Sequence, residues 1–239
     1  LKINFERPGL LLVEFFSIKT DCFEEKTFET LKTFVSEDRR QRIKRFMFQK
    51  DSIMCLLGDV LARYAICRRL KYKNNQLRFA LNQYNKPHLD MPANVHYNVS
   101  HSGDWVVCVL SNEKAGIDVE KIKKTDFDIA KRFFTANEYL SIMSQPSDSR
   151  VKHFFRLWTL KESYIKADGR GLSLPLDSFS IDINQDLISV TTDNELKGCC
   201  FKQFDLDDEH LVSICALENN FADTIQNVTT IEIINTLRT

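Results

Sequence analysis

The sequence predicts a mixed α/β chain, an α+β arrangement of small sheets packed with helices. Three observations predict it. Residues 53–70 and 154–169 carry apolar side chains at helical spacing. Short strand-like runs stand between these segments and fill residues 176–217. The order of elements also repeats weakly. Lys44-Arg45-Phe46 recurs as Lys131-Arg132-Phe133, each followed by a strong helix, and later strands end "VCVLSN" at 107–112 and "ICALEN" at 214–219. Short matches of this kind arise by chance, so duplication stays open at this level; a boundary would fall near residues 112–115.

Element by element, the opening "LKINF" alternates like a strand. Residues 25–35 place Phe28, Leu31, Phe34 and Val35 at helical spacing, and Ser36 is an N-cap for the basic segment "SEDRRQRIKRF". "IMCLLGDVLARYAICRRL" is an amphipathic helix, and "HYNVSHSGDWVVCVLSN" reads as two strands around a Ser-Gly turn. "AGIDVEKI" is a further strand. "DIAKRFFTANEYLSIM" is helical up to the polar break "SQPSDSR". "FFRLWTLKESYIKADG" is a second strong helix, stopped by Gly169. Strands "LDSFSIDI", "LISVTT", "KGCCFKQFDL" and "HLVSICAL" follow.

Composition bounds the function. At 239 residues and 43% hydrophobic content, the chain is globular and long enough for a sizeable core. Lys+Arg and Asp+Glu balance at 33 each, so no global imbalance announces a nucleic acid or membrane partner, and any anion recognition is local. The seven cysteines are scattered: Cys22, Cys55, Cys67 and Cys108 follow no metal spacing, and only Cys199 and Cys200 are adjacent. They read as reduced thiols. With no apolar run near 18 residues and no signal-peptide pattern at the start, the expectation is a soluble, cytoplasmic protein.

Asp118 and Glu120 in "GIDVEKI" share one face of a strand, while Ile117 and Val119 point to the other. Neighbouring like charges raise each other's pKa, as does burial, so the pair needs water, a proton or a cation. A solvated edge strand is one reading. The segment "LWTLKESYIKADGRG" supplies the other. Trp158, Glu162 and Lys166 repeat every four residues on one helix face, apart from an apolar stripe of Leu157, Leu160 and Tyr164. Glu162 and Lys166 alone make an ordinary surface pair. If the helix crosses the "GIDVE" strand, Glu162 becomes a third hard oxygen ligand, suited to Mg²⁺ or Mn²⁺, and a polyphosphate substrate follows. Arg39, Arg40, Arg42, Lys44 and Arg45 form either a solvated basic face or a phosphate site. Ser100, His101 and Ser102 precede Gly103, and "YNKPH" sets Lys86 on a turn. Neither GxxxxGK[ST] nor GxGxxG occurs, which excludes P-loop and Rossmann nucleotide binding.

"NVSHSGDW", "GIDVE" and "LWTLKESYIKADGRGLSLPLDSFS", in this order, resemble the three motifs of the 4'-phosphopantetheinyl transferases of the long, surfactin-synthetase-activator (Sfp-like) type. The likeness extends through "FVSEDRRQRIKRF" and "LLGDVLAR" and covers roughly residues 30–185. The resemblance implies two similar α/β halves related by a pseudo-twofold axis, as subdomains 1–112 and 113–239, acting as a monomer. It implies Mg²⁺-dependent transfer of phosphopantetheine from coenzyme A to a serine of an apo carrier protein of fatty-acid, polyketide or peptide-synthetase type, releasing adenosine 3',5'-bisphosphate. Asp118, Glu120 and Glu162 would hold the metal. Arg39, Arg42, Lys86, Ser100, His101 and Lys161 would contact coenzyme A, Lys86 near the adenine and Lys161 along the pyrophosphate. Glu162, directly or through a water on the metal, would be the base, and Lys166 the acid or charge stabiliser. Cys55 and Asp104 depart from the family pattern, where relatives carry Thr and, in some, a basic residue. A metal-dependent phosphohydrolase and a non-catalytic coenzyme A or carrier-binding module are the alternatives.

Overall fold

The computed structural model describes residues 12–20, 23–185 and 187–238. The strand read from "LKINF" and Cys22 lie outside them. The first half contains strand β1 (Glu14–Lys19), helices α1 (Glu25–Lys32), α2 (Glu37–Lys44) and α3 (Gln49–Leu70), then hairpin β2 (Phe79–Leu81) and β3 (Pro87–Leu89), and strands β4 (His96–Ser102) and β5 (Trp105–Ser111). The second half repeats this order: β6 (Ala115–Lys121), helices α4 (Asp128–Phe133), α5 (Ala136–Met143) and α6 (Arg150–Asp168), hairpin β7 (Ser180–Asn184) and β8 (Leu187–Thr191), then β9 (Cys200–Asp205) and β10 (His210–Ala216). Strand β11 (Gln226–Asn227) and helix α7 (Thr230–Leu237) return to the first half.

The strand order repeats as well. The first sheet runs β11-β1-β5-β4, with β11 parallel to β1, and the second runs β6-β10-β9. In each half the first strand pairs antiparallel with the last, and the last with the one before it. The echoed "VCVLSN" and "ICALEN" lie at the ends of the equivalent strands β5 and β10.

Local chemistry accounts for the element ends. Ser36 caps α2 by accepting from the Arg39 N–H at 3.3 Å. Gly169 ends α6 at φ +89°, a left-handed cap that glycine adopts without strain. The helical run 128–143 is in fact two helices. Thr135 and Glu138 form a reciprocal capping box that starts α5, so the chain bends between Phe134 and Ala136. Other elements lie outside the sequence reading: β1, where Phe15, Phe16, Ser17 and Ile18 are buried in a row, the short strands β2, β3 and β11, and α7, whose Ile-rich stretch is started by a Thr229–Glu232 capping box.

Three apolar clusters hold the molecule together. Phe16, Leu57, Leu61 and Cys108 belong to the core of the first half, and Phe154, Leu157, Leu160 and Tyr164 to that of the second. The third joins them: Phe15, Val107 and Val109 meet Ile117, Val119 and Val212. The inner faces of two sheets are thus packed together, so the halves form one body. The six described cysteines are free thiols. Among the described residues no helix is long and apolar enough to cross a membrane.

Candidate active site

Strand β6 sends alternate side chains to two places. Ile117 and Val119 enter the core between the halves, and Gly116, Asp118 and Glu120 face α6. Gly116 sets how close that helix comes. A Cβ there would lie 2.2 Å from the Ser163 carbonyl oxygen and 2.3 Å from the Ala167 N–H nitrogen, both rigid backbone. Without a side chain at 116, α6 rests directly on the strand, and Lys166 reaches Asp118.

The Lys166 ammonium lies 2.6 Å from Asp118 Oδ1 and 2.7 Å from Ser100 Oγ, and Ser100 Oγ donates to the same Asp118 oxygen at 2.8 Å. Ser100 comes from β4 of the first half, so the site spans both halves. Ser102, two residues on and on the same face, donates to Glu120 Oε2 at 2.8 Å and accepts from the Lys121 N–H at 3.1 Å. Asn98 continues the row, accepting from the Ile117 N–H at 3.0 Å. His101 points the other way and is exposed. Desolvation of its inner edge, then the Lys166 charge, lowers its pKa.

The carboxylates exceed the positive charge that faces them. Asp118 is 3% exposed, and its Oδ2 is buried with no hydrogen-bond partner among the described residues. Burial and then the Asp118 charge raise the pKa of Glu120, against hydrogen bonds from Ser102 and Trp158. Burial and then Asp118 also raise that of Glu162, against Lys166. Three carboxylates thus share one ammonium. An orphaned carboxylate oxygen among hard oxygen donors fits a divalent cation of the Mg²⁺ kind. Among the described residues no three acidic, histidine or cysteine side chains are already drawn together as a metal cage. Lys166 supplies the positive charge on Asp118 in this arrangement.

The other anticipated residues divide. Arg39 lies against Asp59 at 2.7 Å and donates to Cys55 Sγ at 3.7 Å, so the departure at Cys55 faces a guanidinium. Asp59 is shared with Arg63. Arg42 is exposed on α2, one turn from Arg39. Asp104, the other departure, pairs with Lys50 at 2.8 Å.

One expectation needs correction, and a second residue has an additional partner. Lys161 does not line this cleft: it is fully buried, 2.6 Å from Glu138 Oε1 and 2.9 Å from the Phe179 carbonyl oxygen, with its ammonium over the Phe179 ring. It lies beside Leu157, Leu160 and Tyr164 on the inward stripe of α6, a quarter turn from Glu162, so its direction follows from helix geometry. Lys86 is also engaged. Its ammonium donates to the Lys166 carbonyl oxygen, capping the end of α6, and burial, then the Lys114 charge, pushes its pKa down to about 8. One of its three N–H donors is used in this way.

Sequence reasoning assigned no role to Gly116, Ser102, Trp158 or Glu138. Ser102 could have been found from its alternation with Ser100. Gly116 and Glu138 depend on contacts made only in the fold.

Comparison with known proteins follows the division of the chain. Residues 114–215 match the family model described as the 4'-phosphopantetheinyl transferase superfamily, and residues 23–113 match one described as the 4'-phosphopantetheinyl transferase N-terminal domain. The chain is 37% identical over 207 residues to the 4'-phosphopantetheinyl transferase Sfp of Bacillus subtilis (strain 168), covering 86% of this chain and 92% of that protein. It is 38% identical over 194 residues to the 4'-phosphopantetheinyl transferase gsp of Aneurinibacillus migulanus, covering 81% of each.

Proposed function

The chain belongs to the 4'-phosphopantetheinyl transferase superfamily, and on that premise we propose how its own residues carry the transfer from coenzyme A to a serine of an apo acyl or peptidyl carrier protein. Asp118, Glu120 and Glu162 would hold Mg²⁺, with Mn²⁺ as a substitute. Bound there, the ion would supply positive charge for the pyrophosphate and the departing bisphosphate.

The reaction joins the carrier serine oxygen to the phosphorus that bears the pantetheine and breaks the pyrophosphate bond on its far side. Adenosine 3',5'-bisphosphate leaves. Glu162 takes the serine proton. Its place on the face of α6 that carries Lys166, one turn away, supports this role. Lys166, already between the two halves, neutralises charge on the leaving oxygen. Ser100 and His101 contact phosphates of coenzyme A, and Arg39 and Arg42 extend the cationic approach on α2.

The observation that carries this reading is the contact of Lys166 with both Asp118 and Ser100, beside a buried carboxylate oxygen left without a partner among the described residues. One chain supplies both sides of that contact, which supports a monomer in which subdomains 1–112 and 113–239 act together; its expected place is the cytoplasm. The test is the intact mass of an apo carrier incubated with coenzyme A, Mg²⁺ and the protein. One phosphopantetheine should be added, and neither a chelator-treated reaction nor a carrier without its acceptor serine should gain it. A chelator-resistant gain removes the metal assignment. Cleavage of coenzyme A with no acceptor present makes the protein a hydrolase instead. Sedimentation should give a monomer at concentrations where the protein is active.

A further inference from the structure

The turn between β4 and β5 is gripped by the β9–β10 turn of the other half. Asp207, in that second turn, accepts hydrogen bonds from Trp105 Nε1 and His210 Nδ1, each at 2.8 Å. It also accepts from the backbone N–H groups of Glu209 at 2.9 Å and His210 at 2.8 Å. These contacts fix the His210 ring, which is 3% exposed. Its other nitrogen, Nε2, is buried with no hydrogen-bond partner among the described residues. It is aimed at Gly103, where an added Cβ would sit 2.1 Å from it. Gly103 also has φ +60°, so the turn needs glycine both for its backbone and for the imidazole that abuts it.

A buried imidazole nitrogen without a partner costs stability, and an apolar ring would fill the space without that cost. What the contact touches gives it a use. Ser102 is tied to Glu120 and to the Lys121 N–H, and Lys121 lies opposite His210 in the strand ladder. Asp104 is tied to Lys50 and, through its carbonyl oxygen, to the Thr20 N–H. Every residue from 102 to 105 is therefore held from outside the turn. This turn ends the arm that carries Ser100 and His101.

We infer that Asp207 and His210 are positioning residues for coenzyme A: they hold the Ser100–Ser102 arm in place against β6 without touching the substrate. The inference rests on the reading above that Ser100 and His101 face coenzyme A phosphates. A residue that acts through the arm should change affinity for coenzyme A and leave affinity for the carrier alone.

The test is a set of initial rates with coenzyme A and apo carrier each varied, for wild type, His101→Ala, His210→Ala, Asp207→Asn and the double variant His101→Ala/His210→Ala. His210→Ala and Asp207→Asn should each raise KM for coenzyme A roughly tenfold while kcat falls less than about threefold and KM for the carrier stays put. Adding His210→Ala to His101→Ala should raise KM by less than it does in the wild-type background, because part of its effect passes through His101. A general loss of fold would lower apparent kcat by removing active enzyme and would leave both KM values unchanged. Asp207→Asn keeps the ring in the chain and carries the test if His210→Ala does not fold. A normal KM for coenzyme A in Asp207→Asn or a folded His210→Ala, beside a raised one in His101→Ala, overturns the positioning role. Fully multiplicative effects in the double variant overturn it too. A normal KM in His101→Ala overturns the reading of the arm, and this inference with it.

Discussion

The two halves share one scaffold and use it differently. Cys108 and Cys215 are equivalent in the echoed strand ends, and the residues paired with them across the sheet are Phe16 on β1 and Gly116 on β6. Two residues on stand Ile18 in one half and Asp118 in the other. In the first half Phe16 packs edge-on against Tyr64 of α3, and Ile18 is buried in the same core. In the second half the side chain at 116 is missing, α6 rests on the backbone, and the next position on that face is a carboxylate. Charge divides the same way: residues 1–112 carry 18 Lys+Arg against 12 Asp+Glu, and residues 113–239 carry 15 against 21. One half keeps the strand–helix seam as core and gathers cations. The other converts the same seam into an acidic cleft.

The largest break of this comparison is to give the second half the residue of the first. Asp118→Ile removes the carboxylate that Lys166 and Ser100 share. Turnover should fall by roughly three orders of magnitude or more, since several kcal/mol of charge stabilisation go with it. Excess coenzyme A should not restore it. Replacing a buried ion pair by apolar volume is often neutral or stabilising by about 1–4 kcal/mol, but here Lys166 stays charged and partly exposed, so thermal stability should change little. Steady-state rates beside a melting curve check both. A variant that recovers wild-type turnover at high coenzyme A would take Asp118 out of the chemistry.

Next in size is Gly116→Ala. The new Cβ meets backbone on α6, which cannot move aside locally, so the helix must shift as a unit. A displacement of about 1 Å at reacting groups costs on the order of a hundredfold in rate. The strain should lower stability by about 1–3 kcal/mol. Gly58→Ala in α3 is the matched control. There the nearest atom is a Val99 methyl at 3.1 Å, a side chain able to yield by a few tenths of an ångström. Alanine also gains about 1 kcal/mol of helix propensity over glycine. Gly58→Ala should be nearly wild type in rate. Equal losses at both positions would mean that the two seams are not built differently.

This contrast also marks how far the sequence could be read. Periodicity was sufficient for α3 and α6, because an apolar stripe is a local pattern. Alternation put Asp118 and Glu120 on one face, and spacing put Glu162 and Lys166 on another; the order of motifs supplied their meeting. The resemblance sets Lys161 along the pyrophosphate, whereas its place beside Leu157, Leu160 and Tyr164 on α6 turns it inward. Its partner Glu138 lies 23 residues away on another helix, and no local pattern joins them. Thr135 and Glu138 formed a legible capping box inside a run that reads as one helix. The closeness of α6 to Gly116 is a property of packing alone.

A smaller effect separates two neighbours on α2. Losing one charge-assisted contact costs about 1.5–3 kcal/mol, so Arg42→Ala and Arg39→Ala should each raise KM for coenzyme A by roughly ten- to a hundredfold with kcat nearly kept. They should differ in stability. Arg39 is partly buried on Asp59, whereas Arg42 is exposed, so only Arg39→Ala should lower the melting temperature. Unchanged KM for coenzyme A in both would return this basic face to solvent.

The smallest effect on catalysis is expected at a contact where a first-half lysine serves the second-half helix. The Lys86 ammonium caps α6 through the Lys166 carbonyl oxygen, and burial, then the Lys114 charge, lowers its pKa from 10.5 to about 8. The sign of the pH dependence follows. Below pH 8 the lysine is charged in both the folded and unfolded chain, and the folded state bears the full cost of burying that charge. Between pH 8 and 10.5 the folded lysine is neutral while the unfolded one still binds a proton, so folding releases a proton and stability rises with pH. Above 10.5 the cost is gone, and a neutral amine still donates to the carbonyl. Lys86→Met keeps the length of the stem and removes the titration. The difference between the two proteins removes the titrations that they share. The melting temperature of Lys86→Met relative to wild type should therefore fall steadily from pH 7.5 to 10.5, over a range worth at most about 3.5 kcal/mol at roughly 1.4 kcal/mol per pKa unit. Turnover at neutral pH should change no more than a few-fold, through a slight loosening of the last turn of α6. A difference in melting temperature that stays flat across that range would mean that the ammonium is solvated and the two halves are not joined by it.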